Sequence, residues 1–471
     1  RENQNRQENQ GRSKRTFNVC KVHGFFRPRS AVDFYLYAEL DWQRLDNEYK
    51  NICDHGHFLS HQKQPDWADL LAAEWVEQME SIYNKRGFDG SVSKPIVTKI
   101  GKELIKPIDK TFGVGIDYDS PDYAMREILK RNIWQFSVAK NYSDNARLNN
   151  LLLRPDGSLR PWNEFKREAL FVVGDSNRYL KTEYDTVVAG AQMSRLWQEI
   201  QRDKHIFPYV QLKVVLDGRT SEICSPLHNL IFEVDDPVLE YYFPPNHFNC
   251  RTTAIKLRFG KPSDNFILPD IPEAFQNNVG QTGEIFTKQN AYIENTPDDV
   301  LKEADLISER FEKYQRLKED SNYYDVEFGD NAGLKATHKD HNFKAKTANY
   351  EKEARDIIFE YGDEIIMLSE IAPEGVKTPD ALVNAKVSDI KTVLGQNGIL
   401  GKNNLINKIR DANKQECEIV ILQFPKESLK LYDGIDIQQQ LISAKNLMKN
   451  ENILIEEVWV MLDNKIKKFN F

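Results

Sequence analysis

Apolar residues recur three and four positions apart through most of the first half of the chain. Asp66-Trp-Ala-Asp-Leu-Leu-Ala-Ala-Glu-Trp-Val-Glu-Gln-Met79 and Tyr123-Ala-Met-Arg-Glu-Ile-Leu-Lys-Arg-Asn-Ile-Trp-Gln-Phe136 both keep this spacing, which is that of one helix face. It continues from Trp162 to Ile200, so residues 28 to 205 read as mainly helical. The period changes at Tyr209-Val-Gln-Leu-Lys-Val-Val-Leu216, a strand-like run that Asp217-Gly218 ends with a turn. A loop-rich segment follows to Thr253. Residues 1–27 are polar and rich in Asn, Gln and Arg, a composition that predicts disorder. Residues 258–295 carry the Gly, Pro, Asn and Gln of a linker. Thr296-Pro297 then opens a highly charged helix running to Glu319, with threonine as cap and proline in the first turn.

From Tyr323 the pattern alternates between helical and strand periods. Helices are expected at 350–361, 403–414 and 436–448, and strands at 364–369, 381–383, 387–393, 418–424 and 453–462. The order α-β-β-β-α-β is the core order of restriction-endonuclease-like folds. The expected fold class is therefore multidomain: a mainly α N-terminal domain with a small α+β segment, then an α/β domain. The expected divisions are 1–27, 28–257, 258–322 (linker and charged helix) and 323–471.

Length and composition narrow the classes. A chain of 471 residues predicts two to four domains. The hydrophobic fraction is 40% and the mean hydropathy −0.61, as for globular parts joined by polar linkers. A net charge of −8 excludes a nucleic-acid coat, and residues 331–471 carry nearly equal numbers of basic and acidic groups. No apolar run approaches the length of a membrane span, and the polar opening Arg-Glu-Asn-Gln-Asn-Arg-Gln predicts no signal peptide. Five cysteines suit a reducing compartment better than a disulfide framework.

The densest chemistry lies in Lys377-Thr-Pro-Asp380 and Ser388-Asp389-Ile-Lys391. Two carboxylates on adjacent strands can hold a divalent ion, Mg2+ or Zn2+, against a phosphate. Lys391, two residues beyond Asp389, shares its strand face and can offset charge developing on that phosphate. Asp380, Asp389 and Lys391 are thus the leading catalytic candidates, with the two aspartates as metal ligands. Glu353, on the helix at 350–361, offers a further carboxylate, and His341, with His338, a general acid–base group. The competing reading makes Thr-Pro-Asp a turn and Ser-Asp-Ile-Lys an ordinary edge strand.

A second group lies upstream. Cys224-x-x-x-His228 and His247-x-x-Cys250 can supply a tetrahedral structural zinc site, or else line a proline-pinned loop. Cys20-x-x-His23 and Cys53-x-His55-x-His57 are weaker candidates of the same kind.

The pair Asp217-Gly-Arg-Thr-Ser-x-x-Cys224-x-x-Leu227 and Pro244-Pro-Asn-His247-x-Asn-Cys250-Arg251 resembles the phage Mu F-like minor head (head morphogenesis) family over about residues 30–255. The resemblance implies a low-copy protein inside the capsid near the portal, with portal and capsid proteins as partners and a virion location. Arg251 and the cysteines carry over as fold or assembly residues. Residues 323–471, from Leu368-Ser-Glu370 through the two acidic motifs to Lys414-Gln415, look like the C-terminal tRNA-nuclease domains of contact-dependent inhibition and polymorphic toxins. That likeness implies a nuclease acting on tRNA or other RNA in a host or target-cell cytoplasm, together with a cognate immunity protein. A related metal-independent toxin class, with barnase/EndoU/colicin/RelE-type folds, would instead use the histidines. The rival expectations are a purely structural head protein binding portal or capsid, and a DNase effector.

Overall fold

The computed structural model describes residues 64–113, 116–343, 347–371, 378–394, 403–428 and 436–471. The Cys20/His23 and Cys53/His55/His57 groups and Lys377 lie outside the described residues, as do the polar terminus and everything up to Lys63. The chain divides into two compact units. The smaller is built around residues 199–239 and 251–270, and the larger holds the other described residues. The architecture is multidomain, helical toward the N-terminus and α/β toward the C-terminus, and no helix among the described residues is long and apolar enough to cross a membrane.

The helical part of the larger unit is built from α1 (Ala72–Lys85), α2 (Lys94–Phe112), α3 (Pro121–Asn150) and α4 (Trp162–Asp203). Ser120 caps α3, its side chain accepting from Tyr123 N–H, and Pro121 takes the first turn, where a missing N–H costs nothing. The face of α3 that buries Leu129, Ile133 and Phe136 continues as buried Ser137, Lys140, Asn141, Asp144 and Asn145. Those polar groups find partners: Lys140 Nζ meets Glu183 and the Tyr292 hydroxyl, and Ser176 donates to Asp144. A Cβ at Gly101 would run into the Trp134 ring, so glycine is what lets α2 approach α3 this closely.

Residues 258–295 were expected as a linker, but from Ile271 onward they pack into the larger unit. Ile271, Phe275, Val279, Ile285, Phe286 and Ile293 are buried, and Phe286 stacks on Phe136 with ring centres 3.8 Å apart. Asn132 holds this segment, its Oδ1 accepting from the N–H groups of Ile285 and Phe286 and its Nδ2 donating to Phe286 O. A periodic apolar pattern is not needed where one buried amide satisfies the backbone of an irregular segment.

The smaller unit contains an antiparallel three-stranded sheet ordered β2 (Ile231–Glu233), β1 (Tyr209–Val214), β3 (Thr252–Leu257). The charged helix α5 (Asp298–Glu319) belongs to the larger unit and leads into an eight-stranded mixed sheet. Its strands are β4 (Tyr323–Phe328), β5 (Leu334–His338), β6 (Glu364–Met367), β7 (Ala381–Val383), β8 (Lys386–Thr392), β9 (Ile419–Phe424), β10 (Glu457–Leu462) and β11 (Lys465–Asn470), and they lie side by side in sequence order. The helices are α6 (Ala348–Glu360), α7 (Asn404–Asn413) and α8 (Ile437–Leu447).

Period-2 alternation assigns each strand residue to a face. Ile365, Met367, Ala381, Val383, Ile390, Ile419 and Ile421 form one core with Ala354, Ile357 and Ile358 of α6. Val420, Leu422, Phe424, Val458 and Val460 form the other with Leu405, Ile406 and Ile409 of α7 and Leu441 and Ala444 of α8. The expected order of helices and inner strands matches the observed one. Three strands are absent from the sequence reading: β4 and β11, the two edges of the sheet, and β5, a short inner strand paired with β4 and β6.

Candidate functional site

The β7–β8 hairpin sets the geometry. Its pairs are Ala381↔Ser388, Leu382↔Val387 and Val383↔Lys386, closed by a two-residue turn in which Asn384 and Ala385 both have positive φ, 50° and 64°. That is the type I′ pattern, whose twist matches that of paired strands. One step further along the same register sets Asp380 opposite Asp389. The spacing of nine positions between them is what a two-residue hairpin requires for facing residues. Asp389 and Lys391 leave β8 on the α7 face, the face of Val387 and Val393.

The two carboxylates are almost wholly enclosed, Asp380 at 2% exposure and Asp389 at 0%. Asp380 Oδ2 accepts from Ile390 N–H at 3.0 Å. Lys391 Nζ forms an ion pair with Asp389 Oδ2 and donates to Gln415 Oε1 at 3.2 Å. Gln415 Nε2 donates to Thr378 O at 3.3 Å, tying the lysine to the segment that leads into Asp380. Burial, reinforced by the Asp380 carboxyl alongside, pushes Asp389 up to about 7 against the pull of Lys391. Neither Asp389 oxygen has a hydrogen bond of good geometry among the described residues. Two buried carboxyls side by side form a donor set that suits a hard divalent cation, which would offset both the burial and the repulsion.

The structure adds a residue that sequence reasoning passed over. Lys408 lies half-buried on α7, three residues after Leu405 and four before Ala412, both of which pack into the core below. Burial and the nearby Lys391 charge hold its ammonium below the usual lysine range, while Asp389 pulls the other way. It is therefore a second cation that feels the Asp389 charge. A lysine interrupting the apolar Leu405–Ala412 stripe was the signal in the sequence. The Cys417 thiol lies close enough to feel Asp389, and burial with that charge pushes it up to about 12, which leaves it an inert core group.

The other sequence candidates lie elsewhere. Glu353 Oε2 accepts from Gln423 Nε2 at 3.4 Å. Gln423 alternates with Leu422 and Phe424, so this contact is on the α6 face, opposite the face from which Asp389 and Lys391 project. His341 is buried beside the segment following β6, Nδ1 2.9 Å from Leu368 O and 3.7 Å from Glu370 Oε1. His338 Nδ1 accepts from Asp340 N–H, a local turn contact.

Upstream, Cys224, His247 and Cys250 each offer one ligand atom, all within 4.8 Å of one another, and such a group could hold a metal ion. His228, expected as a fourth ligand, is not in that group. Its Nδ1 accepts from Val214 N–H at 3.2 Å. Both cysteines are buried and in no disulfide among the described residues. The two sequence motifs are joined by a charged fork: Arg251 Nη1 donates to Asp217 Oδ2 at 2.7 Å and Nη2 to Oδ1 at 2.6 Å. Arg251 holds Asp217 well below the usual carboxylate range. Asp217 also accepts from Arg219 N–H, so its geometry is that of a turn locked to a strand start.

Against known proteins, the family model described as Phage Mu protein F like protein matches residues 154–255. A curated relative, "Putative capsid assembly protein F" of Escherichia phage Mu, is 30% identical over 135 residues, covering 26% of this chain. The chain spans 31% of that relative's length. Among solved structures, a CdiA-CT/CdiI toxin and immunity complex from Burkholderia pseudomallei aligns at 13% identity and a TM-score of 0.18, covering 26% of this chain and 85% of that one. A score that low carries no weight for fold or function. Residues 154–255, which contain both halves of the Asp217–Arg251 motif pair, are thus the part of the chain that is similar to Phage Mu protein F.

Proposed function

We propose that this chain is a phage head protein whose C-terminal part, residues 323–471, is a divalent-metal-dependent nuclease cleaving RNA phosphodiesters, with tRNA as the foremost substrate. The observation that carries the nuclease reading is the buried Asp380–Asp389 pair, set face to face by the β7–β8 hairpin with Lys391 on the same face. The Mu F-like segment, with a capsid-assembly relative, supports a place in the virion among portal and capsid proteins.

In this reading Asp380 and Asp389 hold the cation. Bound there, it would polarise a phosphoryl oxygen and lower the pKa of a water. Asp389 would hold the cation as a carboxylate, its proton having passed to solvent. Lys391, once released from Asp389, carries its charge to the phosphoryl oxygens, and Lys408 supplies a second charge toward the same face. Gln415 fixes where Lys391 can reach. A nuclease active in the cell that makes it also requires a partner blocking the site, hence an immunity protein.

Incubating the purified full chain with total tRNA, and separately with supercoiled plasmid, in Mg2+ or Mn2+ tests this. The expected result is tRNA cleavage that EDTA stops and that Asp389→Ala and Lys391→Ala each reduce by at least ~100-fold. Plasmid nicking with intact tRNA would move the substrate to DNA. A folded chain that cleaves neither would leave the aspartates as hairpin residues and the protein as a structural head component.

A further inference from the structure

We propose that His341 is a positioning residue for the metal-holding Asp380, acting through its Nδ1–H and the Leu368 peptide rather than as an acid or base; this rests on the nuclease reading above. The Leu368 carbonyl can only accept, so the 2.9 Å contact places the proton on His341 Nδ1. The same residue is held a second time, because Leu368 N–H donates to Asp380 O at 3.0 Å. A two-link chain, His341 to Leu368 to Asp380, thus fixes the backbone that presents the carboxylate opposite Asp389.

The ring is well held for this role. Its side chain is 0% exposed, and it meets Phe343 edge-on at 4.6 Å between ring centres. The turn that carries it is pinned at both ends: His341 N–H donates to His338 O, and Glu370 N–H to Asp340 O. Nε2, the nitrogen a general base would use, is enclosed and has no hydrogen-bond partner among the described residues. Groups that orient a metal ligand from one bond away commonly set affinity for the ion, by about 10- to 100-fold.

Two substitutions separate the roles. The amide nitrogen of asparagine falls near Nδ1 of a histidine, whereas that of glutamine falls near Nε2. Calorimetric titration of the full chain with Mn2+, subtracting the binding that survives in Asp389→Ala, reads the site without using turnover. His341→Asn is expected to stay within about threefold of the wild-type affinity, and His341→Gln and His341→Phe to weaken it by roughly tenfold. RNA cleavage should follow the same order and recover at saturating Mn2+. Equal affinity in all four proteins would overturn the proposal. So would a catalytic loss in His341→Asn that saturating metal does not restore, since that marks Nε2 as the working atom. A wild-type chain without Asp389-dependent Mn2+ binding would overturn the nuclease reading itself.

Discussion

In the nuclease proposed above, Asp389 would connect stability, metal binding and catalysis through one proton. Its folded-state value is about 7, above that of an ordinary carboxylate. The unfolded chain therefore holds fewer protons between about pH 4 and 7, and stability falls as pH rises through that window. Asp389→Asn is neutral throughout and removes the slope. In EDTA at pH 8 it should stabilise the fold by on the order of 1–3 kcal/mol, with the gain gone near pH 4. Thermal melts of the two proteins across that range check this, and parallel curves would rule it out. The same proton must leave when a cation arrives. Mn2+ affinity should accordingly climb by nearly tenfold per pH unit below about 7 and level off above it, with proton release visible in buffers of different ionisation heat. Lys408 calls for a different measurement. Lys408→Met keeps the apolar stem that packs on α7 and removes the charge. It should leave Mn2+ binding near wild type and lower turnover by about 10- to 1000-fold. Unchanged turnover would remove Lys408 from the site.

The hairpin explains what could be read in advance and what could not. Asp380 and Asp389 were legible as a pair because their spacing equals that of facing residues across a two-residue turn, and the flanking strands alternate cleanly. The turn itself was less obvious. Position 385 has φ +64° and would ordinarily be glycine, yet it is an exposed alanine. Ala385→Gly should relieve that strain and stabilise the protein by roughly 0.5–1 kcal/mol without loss of cleavage, whereas Ala385→Val should cost about 1–2 kcal/mol. Chemical denaturation of the three proteins decides the matter, and a destabilising glycine would show the turn to be unstrained. Lys408 escaped notice because a lysine on a helix usually marks a solvated face, and only the packing of α7 on β8 and β9 shows otherwise. The edge strands escaped for a related reason. Lys465-Ile-Lys-Lys-Phe-Asn has its two apolar residues three positions apart, one toward each core, and polar residues everywhere else, as an edge that must resist further pairing does. Glu353 shows the limit of reading a helix by its carboxylates. Which sheet face a helix covers depends on the crossover, and α6 lies on the face that Asp389 does not use.

Helix α5 bears on where a C-terminal module could begin in physical terms. The sequence pattern places that boundary at Tyr323, leaving the charged helix as a connector. In the structure Arg310 of α5 is 5% exposed and donates to Ala332 O at 3.1 Å, Gly362 O at 2.6 Å and Asn384 Oδ1 at 2.8 Å. The last of these is the turn of the hairpin that carries the aspartates. Lys313 adds an ion pair to Glu364 at 2.7 Å, and Phe311 packs on both Trp134 of α3 and Phe328 of β4. The helix thus serves the sheet and the helical bundle at once, and Arg310 is the donor that the Ala332 and Gly362 carbonyls share. Removing a buried charged donor of this kind costs about 2–4 kcal/mol. Arg310→Met in the full chain should therefore lower stability by that amount and weaken Mn2+ binding at the hairpin, while Glu309→Gln, one position away on the same helix, should do neither. A fragment of residues 297–471 should melt cooperatively and cleave RNA, and one of residues 323–471 should be markedly less stable. If the shorter fragment matched the longer in melting temperature and activity, α5 would belong to the helical bundle alone, and Arg310 would be a passive contact rather than part of what holds the hairpin in register.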